Sequence, residues 1–248
     1  MAQLMFYDKP VALNKEKHRD LKLTNTESGF AFANKTNSVI LSGMEFARAA
    51  KEYPIIFIKS GEHTLPVALL GFRQDENLFV NAQGDWDAKH IPAFVRRYPF
   101  VLATTPDSNG GNEEPNQLAV CIDESFPGFN SEEGKPLFDE QGEKTELLDN
   151  AIKFLQQYQN QYQRTELFVE RLLDLELLSE FTANAELKNS EKISVGGLMV
   201  VDEKKLMALE NKQSKELFQS GELGWVYAHL FSLSNMQELM SRMQPQQE

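Results

Sequence analysis

The sequence is poor in cysteine, in clustered positive charge and in long apolar runs, and each shortage excludes something. One cysteine, Cys121, in 248 residues rules out an intramolecular disulfide, so the fold needs no covalent staple and suits a reducing compartment. Lys and Arg number 25 against 37 Asp and Glu, giving a net charge of −12. Binding nucleic acid through bulk electrostatics needs a clustered cationic surface, and the densest basic stretch here is only Lys89 to Arg97. No apolar run reaches the roughly 18 residues of a membrane span. Met1 to Asp8 shows no basic segment followed by an apolar one, so no signal peptide is visible and a cytoplasmic location is expected. The motifs G-x-S-x-G, G-x-x-x-x-G-K-[ST], H-E-x-x-H, G-x-G-x-x-G and C-x-x-C are all missing.

What is present is an ordinary globular composition, 41% apolar and 25% charged. The acidity is concentrated. Residues 1–104 carry 13 Lys and Arg against 11 Asp and Glu, residues 105–150 carry 2 against 12, and residues 151–248 carry 10 against 14. The middle stretch, with its loop from Thr104 to Gln117, reads as an acidic connector over 105–136.

Apolar runs at Phe30–Ala33, Ser38–Leu41, Ile55–Ile58, Leu65–Leu70 and Asn77–Val80 read as strands. The last three are joined by short polar turns and form an antiparallel meander, since parallel crossovers need longer connections. Ser42 and Glu45 match a capping box that opens a helix over Gly43–Glu52, ended by Pro54. Pro92 starts a helical turn or two over Ile91–Arg97, and Phe100–Ala103 and Leu118–Ile122 are further strands.

After Thr145 the period changes to that of a helix. Leu148, Leu155, Tyr162 and Val169 recur every seven residues with Ala151, Tyr158, Thr165 and Leu172 three places later, which predicts one long amphipathic helix, or two, over about 146–178. Ile193–Val201 reads as a strand with Gly196-Gly197 inside it, which suits either a bulge or a close backbone approach. Asp202 caps a short helix, Gly221 ends another, and Ser234 with Gln237 forms a second capping box opening a helix to about Met243. The expected fold is therefore α+β: a sheet-rich part over 1–144, and a mainly helical part over 145–248 packed on it as one unit.

Several stretches carry a family resemblance: Leu13-Asn-Lys-Glu-Lys-His-Arg-Asp20, Glu45-Phe-Ala-Arg48 with Glu52-Tyr-Pro-Ile55, Ala68-Leu-Leu-Gly71 with Asn77-Leu-Phe79, Gly84-Asp-Trp86, Ile91-Pro-Ala-Phe-Val-Arg-Arg-Tyr-Pro-Phe100, Cys121-Ile-Asp-Glu124 and Pro136-Leu-Phe138. On these the chain resembles the bacterial SapC-like family over nearly its whole length. The resemblance implies association with a surface layer or with transport, in an accessory role, and no defined chemistry. Without a visible export signal, surface residence would need a signal-less route or a partner.

Asp85 to Phe100 is the densest mixture of aromatic, cationic and ionisable groups. Guanidinium groups grip carboxylates in bidentate fashion and stack on rings, and Trp86 offers a broad apolar face with one donor. Trp86, His90, Arg96, Arg97 and Tyr98 are therefore candidate ligands for a small carboxylate or a peptide, with His18 and Arg19 approaching the same place. The competing reading is structural, with Trp86 and Tyr98 plugging a core and Arg96 and Arg97 paired with the acidic connector. His18, His63 and His90 with Asp85 or Asp87 lack diagnostic metal-ligand spacing, and Asp139–Glu143 lacks the alternating calcium-loop pattern, so no metal and no cofactor is expected. Cys121 lies in an apolar setting and reads as a buried strand residue. The expected function is an accessory or binding protein with a protein or peptide partner. The alternative is an enzyme, or an enzyme partner, acting on a small carboxylate or peptide near Trp86–Tyr98. The oligomeric state stays open.

Overall fold

The computed structural model describes residues 4–24, 26, 29–104, 118–186 and 192–243. The expected loop after Thr104 and up to Gln117 lies outside the described residues. The fold is α+β, with antiparallel sheets and a helical C-terminal region. It divides into two compact units, each discontinuous in sequence: Met1–Gly29 with Arg96–Asn160, and Phe30–Val95 with Gln161–Glu248.

The first unit holds two three-stranded sheets. In one, β1 (Pro10–Ala12) and β6 (Phe100–Thr104) flank β7 (Leu118–Asp123); in the other, β2 (Lys22–Leu23) lies between β8 (Phe129–Asn130) and β9 (Lys135–Pro136). Phe100, Ile122, Leu137 and Phe138 are buried together with Leu148 and Leu155, two members of the seven-residue stripe. That stripe belongs to α3 (Glu146–Asp174), a single helix whose residues to Asn160 lie in this unit. Asp123 is fully buried at the end of β7. It accepts hydrogen bonds from the amides of Asp8, Lys9 and Ser125, from Ser125 Oγ at 2.6 Å and from Tyr98 Oη at 3.1 Å.

The second unit is built on a five-stranded antiparallel sheet, β10 (Leu178–Glu186), β11 (Lys192–Val201), β4 (Ile55–Ser60), β5 (His63–Leu69) and β3 (Ser38–Ile40), in that spatial order. Its helices include α1 (Phe46–Ala49), α4 (Glu203–Met207), α5 (Asn211–Ser220), α6 (Glu222–Ser232) and α7 (Asn235–Arg242), while α2 (Ala93–Arg96) ends at Arg96, where the second segment of the other unit begins. Phe168 of α3 packs edge-on against Phe46 and Trp225, with ring centroids 6.2 and 5.2 Å apart. Asp202 caps α4 through the amides of Lys204 and Lys205, and Gly221 takes the left-handed conformation (φ 79°) that ends α5.

Along β10 and β11, Phe181 faces Leu198 while Ala183 faces Val195, so one extra residue is accommodated at Gly196-Gly197 with Gly197 at φ 75°. Of the two features that the paired glycines suit, the strand adopts the bulge. The β11–β4 ladder pairs Leu198 with Ile58 and Met199 with Phe57. Continued, it would oppose Val201 to Ile55. The His229 side chain takes that place, with Nε2 accepting from Val201 N (3.0 Å) and Nδ1 donating to Ile55 O (2.8 Å).

Five local expectations are corrected. Phe30–Ala33 is not a strand; it contains a 3-10 turn, Ala31–Ala33. Asn77–Val80 is not the third strand of a meander, and β3 takes that place beside β5. The Asn77 side chain is spent on Ala33 O and Phe79 N, which fixes a turn, and only Val80 bridges, to Trp86. The helix expected over Gly43–Glu52 is a 3-10 turn (Gly43–Glu45) followed by α1. The long helix stops at Asp174 rather than 178, because Glu176 turns the chain with φ 52° into β10, a strand the helical period concealed. The capping box at Ser234 does not form. Ser234, in the turn before α7, has helical backbone angles (φ −60°, ψ −26°) rather than the extended ones of a cap, and its hydroxyl donates back to Phe231 O.

Candidate functional site

The capping box of Ser42 and Glu45 forms, and it explains how a carboxylate comes to be buried in the second unit. Glu45 Oε2 accepts from Ser42 N (3.1 Å) and Ser42 Oγ (2.9 Å). Its other oxygen accepts from Ala93 N at 2.7 Å and lies 3.3 Å from His90 Nε2, not aligned as a hydrogen bond. Burial pushes the Glu45 carboxyl up, but the His90 ring and the Ala93 and Ser42 donors outweigh it and hold the group below the usual carboxylate range. Glu45 is thus an anion beside an imidazole.

A second carboxylate positions His90 from the backbone. Glu52 follows α1, and its two oxygens accept from Lys89 N (2.7 Å) and His90 N (2.8 Å). Tyr53 Oη donates to the His90 carbonyl and accepts from Trp86 Nε1 at 2.8 Å. Trp86 is buried, edge-on to Phe30, so its single donor is consumed inside the unit. The tryptophan braces the segment that carries His90.

The side chains of Arg48, Lys51, Glu52, Lys89 and His90 surround an open cleft of about 480 Å³. Arg48, Lys51 and Lys89 are exposed, and none has an ion-pair partner among the described residues. Glu52 is the one anion on the lining, and both its oxygens already receive backbone N–H groups. The cleft therefore presents three cations to solvent, with the largely buried His90 ring in its wall, an arrangement suited to an oxyanion.

The remaining sequence candidates lie in the first unit. Arg97 is buried with its guanidinium 5.1 Å from the centre of the Tyr158 ring. Arg96 is exposed over the ring of Phe154 at 5.0 Å. Tyr98 is half-buried between Tyr7 and Phe126 and donates to Asp123. His18 is buried; its Nδ1 accepts from Asn14 N (2.9 Å) and its Nε2 faces Glu124 at 3.2 Å. Glu124 also pairs with Lys9 and Lys17, and these cations with His18 lower its pKa to about 2. Arg19 donates to Glu140 O at 2.6 Å and lines, with Asp20, Lys22 and Asp139, a mixed-charge hollow of about 500 Å³.

Trp86 and His90 thus fall in one unit, and His18, Arg19, Arg96, Arg97 and Tyr98 in the other. Sequence reading missed Arg48, Lys51 and Glu52, whose signal was their spacing of three and four on a short helix and the turn after it. It also missed that the cap Glu45 has a second role. Among the described residues, no group of three or more His, Cys, Asp or Glu side chains could hold a metal ion, and no helix is long and apolar enough to cross a membrane.

A family model described as SapC matches residues 13–239. No curated protein and no solved structure matches the chain. With a match over most of its length, and with the quoted stretches from Leu13 onward falling inside it, the chain belongs to the SapC family.

Proposed function

We propose that this SapC-family protein works by binding rather than by catalysis: an accessory that holds a carboxylate-bearing small molecule or peptide, in the surface-layer or transport setting that the family resemblance implies. The observation that carries this reading is the cleft flanked by the cations Arg48, Lys51 and Lys89, with His90 in its wall. The uses of two other candidates support it: Trp86 is spent on Tyr53, and Arg97, in the other unit, covers Tyr158. Of the residues singled out in the sequence, His90 is the one on this cleft, and the other six are proposed here as supports of the two units.

One observation favours the second reading, an enzyme or enzyme partner acting on the same ligand class. A histidine beside a buried carboxylate, at the wall of a cleft, is an arrangement used for general acid–base chemistry. Affinity capture from extract of the source cells, with mass spectrometry of what is retained, separates the two. The expected result is a carboxylate or peptide held by the wild type, lost from an Arg48→Glu/Lys89→Glu variant and released with unchanged mass. Release of a converted product would establish the enzyme instead, and equal retention by the variant would remove the cleft from the function.

A further inference from the structure

Resting on that reading, we propose that the cleft between α1 and the Lys89–His90 segment takes a carboxylate group, and that each carboxylate bound brings a proton from solvent onto His90. The charge comes first. Arg48 and Lys51 approach from the end of α1 and Lys89 from the facing segment, so cations flank a volume large enough for a small polycarboxylate or the C-terminal residues of a peptide. The two sides are fixed to each other by Glu52, through the amides of Lys89 and His90, which limits how much they must reorganise when a ligand enters.

The proton follows from the surroundings of His90. The groups facing it are Glu45 from the 3-10 turn before α1, Arg48 and Lys51 from α1 and the turn after it, Glu52 at its amide, Lys89 as its chain neighbour and Tyr53 at its carbonyl. The Glu45 carboxylate lies 3.3 Å from Nε2 on one side of the ring, and the three cations share the cleft with it. A bound carboxylate neutralises part of the cationic field and adds a negative charge on the cleft side. The balance then shifts toward the ring protonated on both nitrogens, with one N–H turned to Glu45. Linkage makes the effect reciprocal: if the ligand raises proton affinity, protons raise ligand affinity by the same factor. Arg48, Lys51 and Lys89 supply attraction at any pH, and His90 with Glu45 makes the attraction pH-dependent.

The test is calorimetric titration of the full chain with citrate, with trialanine and with C-terminally amidated trialanine, at pH 8, 7 and 6, and in Tris and HEPES at pH 7.5. The free-carboxylate probes are expected to bind several-fold tighter at pH 6 than at pH 8, with a buffer-dependent heat that reports proton uptake. The amidated peptide is expected not to bind, and unequal binding of citrate and trialanine tells which source of carboxylate the cleft prefers. Lys89→Ala is expected to weaken citrate about tenfold and keep the pH dependence; His90→Gln is expected to lose the pH dependence. In the wild type, citrate added at pH 7 is expected to move the His90 imidazole resonances toward the imidazolium position, a readout that needs no variant to fold. Binding of citrate with no pH dependence and no shift of those resonances would overturn the proton linkage alone. No binding of either free carboxylate by folded protein would overturn the cleft and the binding reading with it.

Discussion

Lowering the pH from 7.5 to 5 should destabilise the second unit through one side chain, His229. The ring is fully buried on α6, wedged where the β11–β4 ladder would otherwise continue, and lies 5.0 Å from Phe57. Nε2 accepts from Val201 N, so this nitrogen is unprotonated in the native state, and protonating it breaks the link to β11. Burial is the larger influence and lowers the pKa from 6.5 to about 4, against a smaller upward effect of the bond to Ile55 O. A base whose folded pKa is depressed is protonated first in the unfolded chain. Its contribution is therefore complete above about pH 6.5 and is lost as the pH falls toward 4. At 1.36 kcal/mol per pH unit the full loss is roughly 3 kcal/mol, and roughly 2 kcal/mol of it has occurred by pH 5. The carboxylates with lowered pKa values, Glu45, Asp123, Glu124 and Asp202, contribute their own loss only at more acidic pH. Urea unfolding reads the effect directly. With a slope of about 2–3 kcal/mol per molar, the midpoint should fall by about 1 M between pH 7.5 and pH 5. His229→Gln should be less stable than wild type at pH 7.5 but nearly flat over this range. A wild-type midpoint that does not move, or His229→Gln falling as steeply as wild type, would refute the reasoning; so would a His229 imidazole that titrates near 6.5 in the native protein.

Three further outcomes follow from packing. A Cβ added at Gly43 would stand 2.4 Å from Cε3 of Trp225, so Gly43→Ala should cost about 2 kcal/mol in thermal or urea unfolding and alter the tryptophan fluorescence. Asp123→Ala strips the acceptor from three backbone amides, a serine and a tyrosine; it should cost about 3 kcal/mol or more, and Asp123→Asn less, measured by the same unfolding curves. Arg97→Ala exposes Tyr158 and should lower stability by about 2 kcal/mol while leaving citrate affinity within about twofold of wild type, and a larger loss of affinity would return Arg97 to the ligand site.

The parts of the fold legible in sequence were those governed by local patterns. The heptad stripe of α3, the Asp202 and Gly221 caps, the Ser42–Glu45 box and the glycine bulge of β11 all depend on residues within one or two turns of each other. What escaped was decided by distant partners. Asn77–Val80 has the composition of a strand, but β3 takes the place beside β5. Leu178–Glu186 carries on in sequence from the helical stripe and becomes a strand because Glu176 reverses the chain and β11 pairs with it. The site followed the same rule. His90 stood out through its dense neighbourhood, whereas Arg48 and Lys51 gained meaning only when Glu52 joined α1 to the Lys89–His90 segment from 37 and 38 positions away. Arg96 and Arg97 were conspicuous for charge and are found over aromatic rings, a use that a lone sequence does not distinguish from ligand binding.

The most direct measurement is a citrate titration of isotope-labelled protein followed by two-dimensional NMR. The expected result is a saturable shift concentrated at the backbone amides of Lys89 and His90, which Glu52 holds at the cleft, and at Arg48 and Lys51, and abolished in Arg48→Glu/Lys89→Glu. Shifts centred instead on Arg19 and Lys22, or a spectrum that citrate leaves unchanged, would contradict it.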